Sequence, residues 1–276
     1  MTLVAVCSLK GSPGVTTAAV GLAARWQTGE TPVVVECDPA GGDLLGRYRL
    51  ETAPGLMSLA AAARRRGEQG LVWQHTQRLP GGQPVVVGPA GAAQARASLS
   101  QLSRTGVLRW AADRAGTVVI ADCGRIEPSS PALEVVGEAD IVLLLARARD
   151  DALSHVAMQW PTVARWSRRR CLVLVGDGYP TGEVARELEI EVMGRIPEDP
   201  KGAAALAGQY ERRATPTRSP LVRALDRIAD LAASRVSDSP ARGREHAADA
   251  DAGPGAVGRP PGGAAYPRQP WSEVRR

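Results

Sequence analysis

The chain has 276 residues, a net charge of +5 and a pI near 9.4. Its hydrophobic content of 44% suffices for one large α/β domain or two small ones, but aromatics are 4% and phenylalanine is absent, so Ala, Val, Leu and Gly must carry the packing. No apolar run approaches the roughly 20 residues of a membrane span, and no basic region with a cleavage site marks a signal peptide. The four cysteines, Cys7, Cys37, Cys123 and Cys171, lie in or just after strand-like runs without metal-ligand spacing. They read as reduced core thiols of a cytoplasmic protein.

In chain order, Leu3–Cys7 reads as a buried strand and Thr16–Trp26 as a helix, with Lys10-Gly11-Ser12-Pro13-Gly14-Val15-Thr16-Thr17 between them. A strand, a Gly-rich turn and a helix N-terminus make an anion site, because unpaired backbone N–H groups and the helix dipole converge on one point. The phosphate-loop pattern is G-x-x-x-x-G-K-[ST], whose lysine reaches the β- and γ-phosphates. Gly14 and Thr16 fit it, and Val15 stands in the lysine slot.

Further strands are expected at Pro32–Cys37, Pro84–Gly88, Thr117–Ala121, Ile141–Ala146, Cys171–Gly176 and Glu191–Gly194, each short and apolar on both faces. Helical spacing covers Gly55–Arg66, Ala92–Ser103, Ala152–Trp166, Glu183–Leu188 and the amphipathic Leu221–Arg235. This alternation predicts an α/β fold with a doubly wound, mainly parallel sheet flanked by helices, spanning residues 1–236. Residues 237–276 are rich in Gly, Pro, Ala and mixed charge and are expected to be a disordered tail. Within that tail, Tyr266-Pro267-Arg268-Gln269-Pro270-Trp271 has the make-up of a short docking motif. Lys10 and Lys201 are the chain's two lysines; arginine supplies the remaining basic charge, with clusters at Arg64-Arg65-Arg66 and Arg168-Arg169-Arg170. Such clusters read as solvated helix ends, or as contacts to the DNA backbone.

Ligands of doubly wound folds bind beyond the carboxyl ends of the strands. After the second strand comes Glu36-Cys37-Asp38-Pro39-Ala40-Gly41-Gly42-Asp43, and after the fourth comes Asp122-Cys123-Gly124. A carboxylate at a strand's end beside a phosphate loop is where magnesium or its water shell is held, which suits Asp122 together with the Thr16 hydroxyl. Asp38 is placed to orient a water for attack on the γ-phosphate.

These residues, over about positions 1–235, resemble the MinD/ParA family of P-loop ATPases, with a deviant loop of the form K-G-G-x-G-K-[ST]. The resemblance implies that Lys10 reaches across an ATP-bound dimer to the partner's phosphates, while Val15 replaces the lysine that binds phosphate within one subunit. It implies a first-switch role for Asp38, with Glu36 where a first aspartate is common, and a Walker B role for Asp122. Gly194-Arg195-Ile196-Pro197-Glu198-Asp199 resembles the family's late "iPeD" motif, which puts Pro197 and Asp199 near the base. Gly11, Ser12, Gly14, Val15, Thr16 and Thr17 would cradle the phosphates of ATP or ADP with Mg2+. Losing one phosphate-facing donor costs roughly two to three orders of magnitude in rate, so weak or no hydrolysis is expected. The function implied is a nucleotide-dependent, homodimerising positioning switch for chromosome partitioning, septum-site or polar machinery placement, acting on a protein partner or cargo or on non-specific DNA. The alternative is a nucleotide-independent scaffold of the TadZ/CpaE-like kind, in pilus or secretion assembly. MinD proteins typically end in a membrane-binding helix; here Leu221–Arg235 is expected to close the fold by packing on the sheet.

Overall fold

The computed structural model describes residues 2–64, 70–167, 169–206 and 219–237. Strands β1 (Thr2–Ser8), β2 (Thr31–Glu36), β3 (Gln77–Arg78), β4 (Pro84–Val86), β5 (Thr117–Arg125), β6 (Ile141–Arg147), β7 (Arg170–Val175) and β8 (Val192–Ile196) form one sheet in the order β3-β4-β2-β5-β1-β6-β7-β8. Every pairing is parallel except the edge pair β3–β4. The order reverses at β1: β5, β2 and β4 lie to one side and β6, β7 and β8 to the other. The crevice at the carboxyl end of β1 is therefore the fold's natural ligand position.

Helices α1 (Val15–Arg25), α2 (Leu44–Tyr48), α3 (Leu56–Ala62), α4 (Leu71–Gln74), α5 (Ala92–Ser103), α6 (Val107–Ala112), α7 (Leu133–Glu138), α8 (Asp150–Val163), α9 (Thr181–Leu188), α10 (Pro200–Leu206) and α11 (Pro220–Ser237) connect and cover the strands. Successive strand residues point to opposite faces, so β1 feeds two cores. Leu3, Ala5 and Cys7 join one layer with side chains of α3 to α9, and Val4 and Val6 join the other with α1 and α11. All seven residues of β1 are buried, which explains its unbroken apolar run.

The long strands and helices stand where the sequence places them, and Ala92–Ser103 matches α5 end to end. Strand β5 runs on through Asp122, Cys123 and Gly124 to Arg125, so Asp122 lies inside a strand and not beyond its end. Arg170 opens β7 and its guanidinium lies 5.6 Å from the Trp160 ring centre, so this member of the second arginine cluster is not a helix end. Arg65, Arg66, Arg168, most of the proposed tail and the Tyr266–Trp271 motif lie outside the described residues. No helix among the described residues is long and apolar enough to cross a membrane.

Most of the apolar stripe of α11 is spent within the fold, while Leu231 is 40% exposed. Leu221, Leu225, Ile228, Ala229 and Ala232 are buried in the layer shared with α1, and Arg25 of α1 forms an ion pair with Asp226. Leu225→Ala should cost about 2–5 kcal/mol in urea unfolding, as expected for a core leucine, and leave sedimentation with anionic vesicles unchanged. Normal stability with altered vesicle binding would place the stripe on a lipid surface instead.

Candidate functional site

The turn between β1 and α1 is built for an anion. Gly11 and Gly14 have φ of 72° and 90°, a region that side chains with a Cβ rarely adopt. Gly14 is the N-cap of α1, and no side chain caps the helix there, so the first-turn amides stay open toward the turn. Lys10, Gly11 and Ser12 are exposed, and Thr16 and Thr17 half-buried. Ser8, the last residue of β1, is buried and its hydroxyl has no hydrogen-bond partner among the described residues. These are donors of the kind that phosphate oxygens satisfy.

Val15 goes the other way. It is 7% exposed and belongs to the apolar layer of α1 and α11. The position that resembles a phosphate-binding lysine is thus part of the core.

Thr16 and Asp122 meet. The Thr16 hydroxyl lies beside the Asp122 carboxylate and favours its charged form, and that carboxylate accepts the Gly124 amide at 3.2 Å. Parallel pairing explains the position: in register, Asp122 lies between Val6 of β1 and Glu36 of β2, at 1% exposure. Its pKa is pushed up to about 7: burial raises it most, Glu36 and Asp38 add to the rise, and the Thr16 hydroxyl and Gly124 amide oppose it. A hydroxyl and a carboxylate beside an open-amide turn fit Mg2+, a hard cation that keeps water and phosphate oxygens as ligands. Among the described residues no set of three or more His, Cys, Asp or Glu is placed to hold a metal unaided. A cation bound by Thr16 and Asp122 would therefore depend on phosphate and water for the rest of its shell, and would neutralise charge on the phosphates.

Asp38 follows β2 and its carboxylate lies against the backbone of Gly124. A Cβ on Gly124 would fall 1.9 Å from Asp38 Oδ2, so no other residue fits there without moving Asp38. Asp38 Oδ1 accepts the Ala40 amide at 2.7 Å; burial raises its pKa, and the Arg125 charge opposes the rise. Lys10 Nζ lies 3.1 Å from His155 Nε2 on α8. The contact joins positions 145 apart in sequence, and no local pattern announces His155.

Pro197 and Asp199 stand beyond β8, three strand spacings or about 14 Å from β1. Asp199 Oδ1 accepts the Gly202 amide at 2.8 Å and Oδ2 the Ser219 hydroxyl at 2.5 Å, with the Lys201 and Leu221 amides also helping to lower its pKa. That carboxylate ties the starts of α10 and α11 together. The structure thus gathers Lys10–Thr17, Asp38 and Asp122 at the carboxyl ends of β1, β2 and β5, and leaves Pro197 and Asp199 at the far side of the sheet. Glu36, buried at the end of β2, holds three backbone amides.

The raised pKa of Asp122 has a stability consequence. An unfolded aspartate titrates near 3.9, so between about pH 4 and 7 the folded chain holds the proton more tightly and stability falls as pH rises. Asn cannot ionise. In EDTA, Asp122→Asn should move the urea midpoint little at pH 4.5 and raise stability by a few kcal/mol at pH 8, since each tenfold difference in proton affinity is worth roughly 1.4 kcal/mol. An equal effect at both pH values would show that Asp122 ionises freely.

No family model and no curated protein matches the sequence. Solved structures do match the fold. The cell division ATPase MinD of Pyrococcus furiosus superposes with a TM-score of 0.66 at 16% identity, covering 84% of this chain and 98% of that one. A ParA family ATPase from Chlorobium tepidum gives 0.65 at 14%, with 84% and 98% covered. The septum site-determining protein MinD of Pyrococcus horikoshii, complexed with Mg-ADP, gives 0.63 at 14%, with 85% and 98% covered. With its eight-stranded, mostly parallel sheet flanked by helices, the chain has the P-loop fold of the MinD/ParA ATPases.

Proposed function

We propose that the chain is a nucleotide-dependent, homodimerising positioning switch of MinD/ParA type, with weak or no ATP hydrolysis, acting in chromosome partitioning, septum-site selection or polar machinery placement. The observation that carries this reading is the Thr16 hydroxyl beside the buried Asp122 carboxylate, next to the open amides of α1. It supports ATP or ADP with Mg2+ as ligand: backbone amides of Gly11, Ser12, Gly14, Val15, Thr16 and Thr17 around the phosphates, Thr16 and Asp122 toward the cation, Asp38 orienting water, and Pro197 and Asp199 on the side of the base. The exposure of Lys10 supports its reaching a partner subunit's phosphates. Structures of the same fold include McdA of Cyanothece with ATP, a putative plasmid partition protein of Borrelia burgdorferi bound to AMPPNP, and a MinC:MinD complex of Aquifex aeolicus. They support a nucleotide ligand and a protein partner or cargo; non-specific DNA is a further candidate surface, in the cytoplasm.

One observation favours a second reading. With Val15 in the core, the cradle lacks the cation that resides in the same subunit, which suits a nucleotide-independent scaffold of the TadZ/CpaE-like kind.

Calorimetric titration with Mg-ATP and Mg-ADP separates the two. The switch predicts micromolar binding, an ATP-dependent dimer by light scattering, and loss of that dimer in Lys10→Ala. Absence of heat at millimolar nucleotide would leave the scaffold, and an unchanged dimer in Lys10→Ala would remove Lys10 from the mechanism.

A further inference from the structure

Glu36 occupies a position where the strand pattern calls for an apolar residue. It ends β2 and is 1% exposed. Burying a carboxylate is unfavourable unless its oxygens are fully engaged, and these are. Oε1 accepts the amides of Asp43 at 2.7 Å and Leu44 at 2.9 Å, and Oε2 accepts the Gly88 amide at 2.8 Å. Asp43 and Leu44 close the loop that begins at Asp38, whereas Gly88 belongs to the turn between β4 and α5. One side chain therefore closes the Asp38 loop on itself and fastens it to a second loop.

The two loops also touch directly. The Gly42 amide donates to the Pro89 carbonyl at 2.9 Å, and Arg96 of α5 reaches the Pro39 carbonyl at 3.4 Å. A Cβ on Gly42 would lie 2.6 Å from Glu36 Oε2 and 2.7 Å from the Gly88 carbonyl oxygen, so the approach is closed to any larger residue. Three amide donors shared between two oxygens require an acceptor-only group. Glutamine would turn an NH2 toward one of the donors, and aspartate is one methylene too short to span both loops.

We propose that Glu36 is a positioning residue for Asp38: it makes loop 38–43 and turn 88–91 one rigid unit and so fixes the Asp38 carboxylate against Gly124, beside the Thr16–Asp122 pair. Ala90 and Gly91, at the exposed tip of that unit, are then mechanically continuous with Asp38. The inference rests on the nucleotide-site reading for the importance of Asp38, while the coupling itself needs no nucleotide.

The test uses the full chain without ligand, comparing wild type, Glu36→Gln and, as a control of similar global cost, Leu102→Ala in the core. Amide exchange should rise about tenfold or more in segments 38–44 and 87–91 together in Glu36→Gln and stay low in β1 and β5, as for a local opening. The Gly124 amide resonance, a reporter of the Asp38 carboxylate, should shift in Glu36→Gln and in Asp38→Asn, remain in place in Leu102→Ala, and move no further in the Glu36→Gln/Asp38→Asn double variant than in Asp38→Asn alone. Faster exchange in one loop only, an unmoved Gly124 resonance, or additive shifts would overturn the proposal. Should Glu36→Gln fail to fold, Gly42→Ala decides by the same two readouts, since it keeps the carboxylate and drives the loops apart. A wild-type chain that binds no nucleotide would refute the proposed function and leave these outcomes readable.

Discussion

A carboxylate set in the middle of a parallel sheet must share its charge with a proton, a hydrogen bond or a cation, and Asp122 is such a group. Its neighbours in register are a valine and a second buried carboxylate, and its oxygens have the Thr16 hydroxyl and the Gly124 amide. Those partners only partly offset burial, which is why its pKa stands near neutrality. The arrangement is unfavourable for an isolated fold and favourable for one that receives a cation at this point. The same carboxylate faces Thr16 at the start of α1 and accepts the amide of Gly124, the residue on which Asp38 packs.

The proposed phosphate cradle is otherwise a backbone device. Positive-φ glycines, an uncapped helix start and a buried unpartnered serine supply donors with no charge of their own. In a site that also holds a lysine, such donors share the anionic load; here the slot belongs to the core through Val15. A nucleotide bound this way would be held by dipoles and a cation, and transition-state charge would have one stabilising donor fewer. Lys10 is the loop's one cation, and its Nζ lies within hydrogen-bonding distance of His155.

Much of this is legible from the residues alone. The long strands are apolar on both faces because both faces are covered, and that pattern survives in sequence as unbroken Val, Ile and Leu runs. The sequence pattern ends β5 four residues early because Asp-Cys-Gly-Arg interrupts the run just where the site begins. Helices of four to seven residues, such as α4, α6, α7 and α10, span too few turns to print a 3.6-residue period. Asp38 and the Gly-rich turn can be found because each follows a strand, and Asp122 because it breaks an apolar strand run. The Lys10–His155 contact and the Glu36 clamp cannot, since their partners lie as far as 145 and 52 positions away. Asp199 has a motif-like neighbourhood, and its carboxylate accepts hydrogen bonds at the starts of two helices.

Thr16 and Asp122, on this account, complete a cation site only when a nucleotide lies in the loop. Electron paramagnetic resonance of Mn2+ tests this directly. Free Mn2+ signal should fall well below that of Mn2+ with ADP alone when protein is added, persist with protein alone, and return to the ADP level in Asp122→Asn. A signal unaffected by protein in the presence of ADP and of ATP would contradict it.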